Sequence, residues 1–243
     1  MKNLTTVVIL LALSSIAMGK VSTRVCLTDA NTPLELADPN VLNDPNILAD
    51  PNVIVYRDIM VGTKLTIIVD SNIVEPLGWS GSLYIAGSNR EYGELSARDY
   101  NDTTLDWEGS RFEAAGDKAS ILDNQDDVIR GFELYSDLNA VEGDWFILDY
   151  NAINIGICRV DFYDYGSSLS DPVDSHIFLH VRTRDFNQDT KVDFADFALL
   201  SLYWLQTGCS DPDWCTGTDL NTDGIVDRDD LMLFADFWLE KTE

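Results

Sequence analysis

Two segments near the carboxyl end limit what this chain can fold into more than any other feature. Asp185, Asn187, Asp189, Asp193 and Asp196 stand at positions one, three, five, nine and twelve of one stretch, and Asp219, Asn221, Asp223, Asp227 and Asp230 repeat that spacing 34 residues later. Side-chain oxygens at these positions, with a backbone carbonyl at the seventh, let one tightly wound loop surround Ca²⁺. That hard cation takes about six to eight oxygens at roughly 2.3–2.6 Å. The seventh residues are Lys191 and Ile225, whose side chains are free to vary because only their carbonyls would face the ion. Gly224 fills the sixth position of the second copy, where the chain turns sharply, and Thr190 stands there in the first. Each twelfth residue is Asp, shorter than Glu, so the loop or the segment after it must bring the carboxylate in. The pattern predicts two bound ions, one per loop.

The duplication continues past the loops, with Val192 matching Val226, Leu199 matching Leu233, Trp204 matching Trp238 and Leu205 matching Leu239. Phe197, Leu200 and Trp204, then Leu231, Phe234 and Trp238, fall at helical spacing. This predicts one amphipathic helix after each loop and packing of the two helices on each other. Paired loop-then-helix units with Asp at the last ligand position and no incoming helix resemble a dockerin type I domain, over residues 185–241. The resemblance implies one Ca²⁺ per unit. It also implies that the paired helices dock onto a cohesin domain, assembling polysaccharide-degrading enzymes or attaching proteins to a cell surface. In that family the tenth and eleventh loop positions govern partner choice; here they are Phe194 and Ala195 in one copy, Arg228 and Asp229 in the other. The best-known members keep small hydroxyl residues there in both copies, so the mismatch implies an unusual partner. The short loop between Cys209 and Cys215, with Pro212 and Trp214 inside it, is a second departure from the family pattern.

The amino terminus bears on where these loops work. Lys2, an apolar stretch from Val7 to Leu13, and Ala17-Met18-Gly19 compose a secretory signal peptide over residues 1–19. The apolar stretch is shorter than the roughly 20 residues a bilayer span needs, and no later segment is long enough either. The sequence therefore predicts a secreted or surface-attached bacterial protein without a membrane span. Cysteines in an exported chain read as disulfides. Cys209 and Cys215 are the near pair, and Cys26 with Cys158 follows by elimination. With 16 basic against 42 acidic residues and a net charge of -26, the chain lacks the cationic footprint of a nucleic-acid binder.

Residues 20–53 include a six-residue unit repeated over 37–42, 43–48 and 49–54, each built on Asp-Pro-Asn, and read as a turn-rich lead-in. Residues 54–182 show strand patterning, with candidate strands at 64–70, 79–86, 131–136, 145–150, 156–163 and 175–182. The expected fold is an all-β sandwich of immunoglobulin or cohesin type, followed by the small helical domain at 185–241 and in contact with it. Residues 61–164 are loosely similar to cohesin and carbohydrate-binding sandwiches through VGTKLTIIVDSN, GWSGSLYIAG and GDWFILDYNAINIGICRVDFYD. In the last strand Ile177, Leu179 and Val181 face one way and His176, Phe178, His180 and Arg182 the other, and the histidine face reads as solvated.

Trp79, Tyr84, Tyr92, Tyr100, Trp107 and Trp145 offer flat rings for sugars, and the connection 87–118 is the expected site of a binding loop, which makes polysaccharide the second partner class. Carboxylates such as Asp126, Asp127 and Glu133 are too numerous to single out a catalytic pair, and no HExxH, nucleophile elbow or phosphate loop is present. The reading is an exported, non-catalytic adhesion, scaffold or glycan-binding component of extracellular polysaccharide degradation. Two alternatives stay open on sequence: a small glycoside hydrolase carried by the same tail, and a calcium-stabilised structural surface protein.

Overall fold

β-branched and aromatic runs punctuated by Gly, Asn and Asp supply the strands. The computed structural model describes residues 21–27, 34, 36–37, 42, 44, 50–71, 79–98, 100–101, 106–107, 118–120, 123–125, 128–135, 143–164 and 171–239. The leader at 1–19, most of the Asp-Pro-Asn repeats, and Asp126 and Asp127 lie outside these residues. In chain order the strands are β1 (Val21–Leu27), β2 (Val53–Met60), β3 (Lys64–Ser71), β4 (Trp79–Ile85), β5 (Gly93–Ala97), β6 (Tyr100–Asn101), β7 (Asp106–Trp107), β8 (Lys118–Ser120), β9 (Asp123–Gln125), β10 (Val128–Tyr135), β11 (Gly143–Ala152), β12 (Gly156–Asp164) and β13 (Asp174–Val181). Two helices follow, α1 (Phe194–Leu202) and α2 (Arg228–Ala235).

The strands form a four-stranded sheet, β1-β3-β11-β5, and a seven-stranded sheet, β2-β13-β12-β4-β10-β8 with β9 beside β10. Pairing is antiparallel except between β2 and β13, which run parallel. All six expected strands are present. The lead-in differs from expectation, because β1 lies within 20–53 and pairs along its whole length with β3, from Val21 opposite Ser71 to Leu27 opposite Leu65. Asp50 accepts from the Asn52 amide at 2.9 Å, the local turn that Asp-Pro-Asn predicts, and β2 starts at once. The connection 87–118 also differs from a plain loop, since a short 3₁₀ turn (Gly87–Glu91) and β5 to β7 occupy much of it.

The core lies between the two sheets. A bulge in β11 at Trp145 breaks the alternation, so consecutive Trp145 and Phe146 are both buried, and Trp145 gives no sugar platform. Tyr150 stacks on Phe178 at 4.3 Å between ring centroids, and Phe178 on Tyr56 at 5.3 Å, joining the sheets through an aromatic seam. A Cβ on Gly93 would sit 2.6 Å from the Tyr150 hydroxyl, which is why glycine opens β5.

Both histidines of β13 face this core, opposite to the solvated face expected. Period-two alternation separates two faces without saying which is inner, and Phe178 carries His176 and His180 inward with it. Each imidazole meets hydroxyls, as buried polar groups must. His176 Nε2 lies 2.7 Å from Thr23 Oγ1 and its Nδ1 lies 3.4 Å from the Tyr56 hydroxyl. His180 Nε2 lies 2.7 Å from the Tyr150 hydroxyl and its Nδ1 lies 2.9 Å from the Asn154 carbonyl. Burial pushes both imidazoles below the ordinary value; Asp174 and Asp161 oppose the shift at His176, as the Asn154 carbonyl does at His180.

Cys26 and Cys158 are separate buried thiols, which corrects the expected second disulfide. Cys26 shares a side of β1 with Arg24, whose guanidinium donates to its sulfur at 3.0 Å, whereas Cys158 points into the core from β12 in the other sheet. Burial raises the Cys158 thiol to about 11, so it stays protonated and inert near neutrality. Cys209 and Cys215 are joined as expected, with Cα atoms 5.0 Å apart.

Among the described residues no helix is long and apolar enough to cross a membrane.

Candidate metal centre

The two loops are built by short-range bonds from their own carboxylates to their own amides. Asp185 Oδ1 accepts from the Asp189 amide at 3.1 Å and Oδ2 from the Thr190 amide at 2.9 Å. Asn187 Oδ1 accepts from the Asp189 amide at 3.0 Å, and Asp189 Oδ1 from the Lys191 amide at 3.1 Å. Asp193 caps α1 by accepting from the Ala195 amide at 2.8 Å. Asp196, one turn into that helix, accepts from the amides of Phe186 at 2.7 Å, Asn187 at 3.2 Å and Asp193 at 2.9 Å. A fully buried carboxylate in the first turn thus reaches back across its loop and closes it.

The second loop repeats these bonds almost one for one. Asp223 and Gly224 stand in place of Asp189 and Thr190, with Gly224 N donating to Asp219 Oδ2 at 2.9 Å and Ile225 N to Asp223 Oδ1 at 3.0 Å. Asn221 Oδ1 accepts from the Asp223 amide at 2.9 Å, and Asp227 caps α2 through the Asp229 amide at 2.8 Å. Asp230 takes the amides of Leu220 at 2.7 Å, Asn221 at 3.2 Å and Asp227 at 2.8 Å. All ten expected oxygen-bearing side chains, Asn187 and Asn221 through their Oδ1 atoms, therefore accept from amides of their own loop or of the helix that follows it. Lys191 and Ile225 hold the seventh positions with exposed side chains.

Two observations test whether this donor set fits a cation. Carboxylate oxygens of Asp185, Asp189 and Asp196 lie within 4.8 Å of one another, close enough for one cation to bridge them and relieve their repulsion. In the second loop Asp219 is fully buried, and its Oδ1 has no hydrogen-bond partner among the described residues. An orphaned anionic oxygen in that position costs several kcal/mol unless something positive meets it. Oxygen-only donors of this charge suit a hard divalent ion.

The two units brace each other across an internal pseudo-two-fold. Leu205 N donates to Val226 O at 2.8 Å, and its counterpart Leu239 N donates to Val192 O at 2.8 Å, so the chain leaving each helix holds the other loop. Leu200 and Phe234 bury their side chains between the units, and Phe186 stacks on Phe234 at 5.9 Å. Trp204 is half exposed beyond the end of α1, short of the core place its spacing suggested, because the helix stops at Leu202.

Phe194, Ala195, Arg228 and Asp229 are all exposed. Phe194 is 75 % exposed while its ring edge meets Trp238 at 4.8 Å. Leu202 is also 75 % exposed, and the one charged residue of α1, Asp196, is turned wholly inward. The first helix thus presents an uncharged face on a chain of net charge -26; its counterpart presents Arg228, Asp229 and Met232. Of the aromatic residues considered for sugars, Tyr84 meets Tyr163 edge-on at 5.6 Å and Tyr92 packs over Gly156; the side chains of Trp79, Tyr100 and Trp107 lie outside the described residues.

Residues 183–236 match the model of the dockerin type I domain family. No curated protein matches the chain. Among solved structures, a cohesin from Acetivibrio cellulolyticus determined in complex with a dockerin is 8 % identical, covering 53 % of this chain and 96 % of that one at a TM-score of 0.31. A non-cellulosomal cohesin from the archaeon Archaeoglobus fulgidus is 11 % identical, covering 55 % of this chain and 91 % of that one at a TM-score of 0.28. Overlaps of that size leave the description of the sandwich to its own strand order.

Proposed function

We propose that this chain is an exported, non-catalytic protein whose tail binds two Ca²⁺ ions and docks onto a cohesin-like domain, in the service of extracellular polysaccharide degradation. The observation that carries the reading is the buried, unpartnered oxygen of Asp219 inside a loop whose other carboxylates accept from its own amides. The dockerin family match over the same residues supports it. In the first loop Asp185, Asn187, Asp189, Asp193 and Asp196 would hold one ion with the Lys191 carbonyl. In the second, Asp219, Asn221, Asp223, Asp227 and Asp230 would hold the other with the Ile225 carbonyl. Bound Ca²⁺ supplies positive charge that lets several carboxylates share one loop.

The docking contact falls on the exposed helix faces. Phe194, Ala195, Phe197 and Leu202 form an apolar patch on α1, flanked across the pseudo-two-fold by Arg228, Asp229 and Met232 of α2. Several exposed apolar side chains on one short helix of so acidic a chain suit an interface. The sandwich then acts as the delivered cargo, an adhesion, scaffold or glycan-binding unit.

Titration calorimetry of the full mature chain with Ca²⁺, run beside circular dichroism, tests the ion reading. Two sites and a gain of helix on loading are expected; absence of heat together with a helix signal indifferent to chelator would overturn it. Binding of the loaded chain to a purified cohesin domain tests docking, and Phe194→Glu should abolish that binding while leaving the ion stoichiometry at two.

A further inference from the structure

The tail is held to its own sandwich through a seam that runs directly to the ion loops. Only residues 182–184 separate the end of β13 from Asp185, and within that interval Thr183 Oγ1 accepts from the Asp185 amide at 3.1 Å. Met60, the last residue of β2, is buried in the tail's apolar cluster with Val192, Val226, Phe234 and Phe237 rather than in the sandwich core. An irregularity in the β2–β13 pairing puts it there: Phe178 faces Tyr56 but His180 faces Ile59, so Arg57 and Asp58 are displaced outward and Asp58 takes φ +60°. Beyond it, Val61 N donates to Val181 O at 3.0 Å, tying the strand end to β13.

Arg184 completes the seam. It is only 4 % exposed; its guanidinium lies 4.3 Å from the Phe237 ring centroid, and its Nε donates to the Leu233 carbonyl at 3.4 Å in the last turn of α2. A cation at a helix carboxyl end complements the dipole, and the aromatic face adds to it. Arg182 lies over the Trp214 ring at 5.6 Å from its centroid, inside the disulfide loop. The sandwich edge and the linker after it thus meet three parts of the tail: α2, held by Asp230 across the second loop; the cluster of Val192, whose carbonyl accepts from Leu239; and Trp214.

We propose that sandwich and tail form one cooperative unit, in which loading the loops with Ca²⁺ tightens the β2–β13 edge through Met60 and Arg184. This rests on the calcium reading above. Without an ion, repulsion among the carboxylates of each loop favours opening, α2 loses its anchor at Asp230, and Met60 and Arg184 lose their cover. Ligand that binds only the closed state stabilises everything closed with it. A partner gripped by the tail would accordingly be held in a fixed orientation to the sandwich.

Amide hydrogen exchange on the full mature chain, with Ca²⁺ and with chelator, reads this coupling residue by residue. The expected result is that amides of residues 59–61 and 177–181 slow by on the order of tenfold on loading, in step with the loops. Met60→Ala and Arg184→Gln should each cut that gain while calorimetry still counts two ions, and Met60→Leu should keep it. Heat of binding with loop protection, but unchanged exchange at the β2–β13 edge of the wild-type chain, sinks the coupling alone. No heat at all sinks the calcium reading and the coupling with it.

Discussion

The sandwich and the tail both bury polar side chains, and they satisfy them over different distances along the chain. In the tail the longest of the loop bonds, from Phe186 to Asp196, spans 10 residues. In the sandwich Thr23 donates to Asp174 across 151 residues, and Tyr56 meets His176 across 120. Local bonds can be written as a spacing rule, so the tail repeats and its loop pattern is legible in the sequence. Long-range bonds depend on which strands become neighbours, so the same chemistry in the sandwich leaves no pattern in the sequence. The two regions should therefore respond to different perturbations.

Removing the core ring of Phe146 is the severest test on the sandwich side. Phe146→Ala should cost about 3–5 kcal/mol, because a fully buried aromatic leaves a cavity that two packed sheets cannot close. Urea unfolding followed by near-ultraviolet dichroism measures it. Ion affinity in the still-folded protein should be unchanged, because Phe146 packs in the sandwich core on β11, away from the β2–β13 edge that meets the tail; a parallel loss of affinity would extend the coupling from that edge into the core.

On the tail side, Asp219→Ala should weaken the second site by on the order of 100-fold, within the range over which ligand charge and loop rigidity tune such sites. Calorimetric stoichiometry falling from two to one at working concentrations is the expected readout. A variant that still binds two ions equally well would leave the orphaned oxygen without a role.

Acid distinguishes the regions again. Both imidazoles are held below their ordinary value of 6.5, so the unfolded chain binds protons that the folded chain refuses. Stability is therefore fully present above pH 6.5 and is lost as pH falls below it, by about 1.4 kcal/mol per pH unit for each imidazole until its folded value is reached. Thr23, Tyr56, Asp174 and Asp161 surround His176, while Tyr150 and the Asn154 carbonyl face His180. Urea midpoints between pH 7 and 5 in the presence of chelator isolate the sandwich, and His176→Asn should flatten the slope by about half. An unaltered slope would place the acid response elsewhere.

The smallest effect concerns the two loops themselves. Thr190 adopts φ +72° at the sixth position, where Gly224 adopts +94° in the other copy. A β-branched residue in the left-handed region carries strain of about 1 kcal/mol, which Thr190→Gly should relieve in part. The first loop should then bind Ca²⁺ a few-fold more tightly, as competition with a chromophoric chelator would show. Weaker binding would mean that the threonine side chain supports the loop in a way its backbone does not reveal.

Spacing alone marked the ten oxygen-bearing loop residues, both helices and the six longest strands of residues 54–182 other than β2, because each of these shows as a local periodicity along the chain. It also placed Cys209 beside Cys215. It missed β1, since seven residues after a leader carry no sign of a partner strand 40 residues away, and it paired Cys26 with Cys158 by counting, although they stand in different sheets. It put the histidines of β13 outside, because alternation fixes which residues share a face and leaves open which face is covered. Nothing in the sequence marks Met60 or Arg184, since a methionine ending a strand and an arginine in a linker become structural only when the second helix arrives beside them. What the chain determines by itself is therefore the local geometry of its two acidic loops, whose donors and acceptors are neighbours in sequence. Which polar groups are buried, which thiols meet and how the tail sits on the sandwich were decided by packing, because those contacts exist only once distant segments share a core.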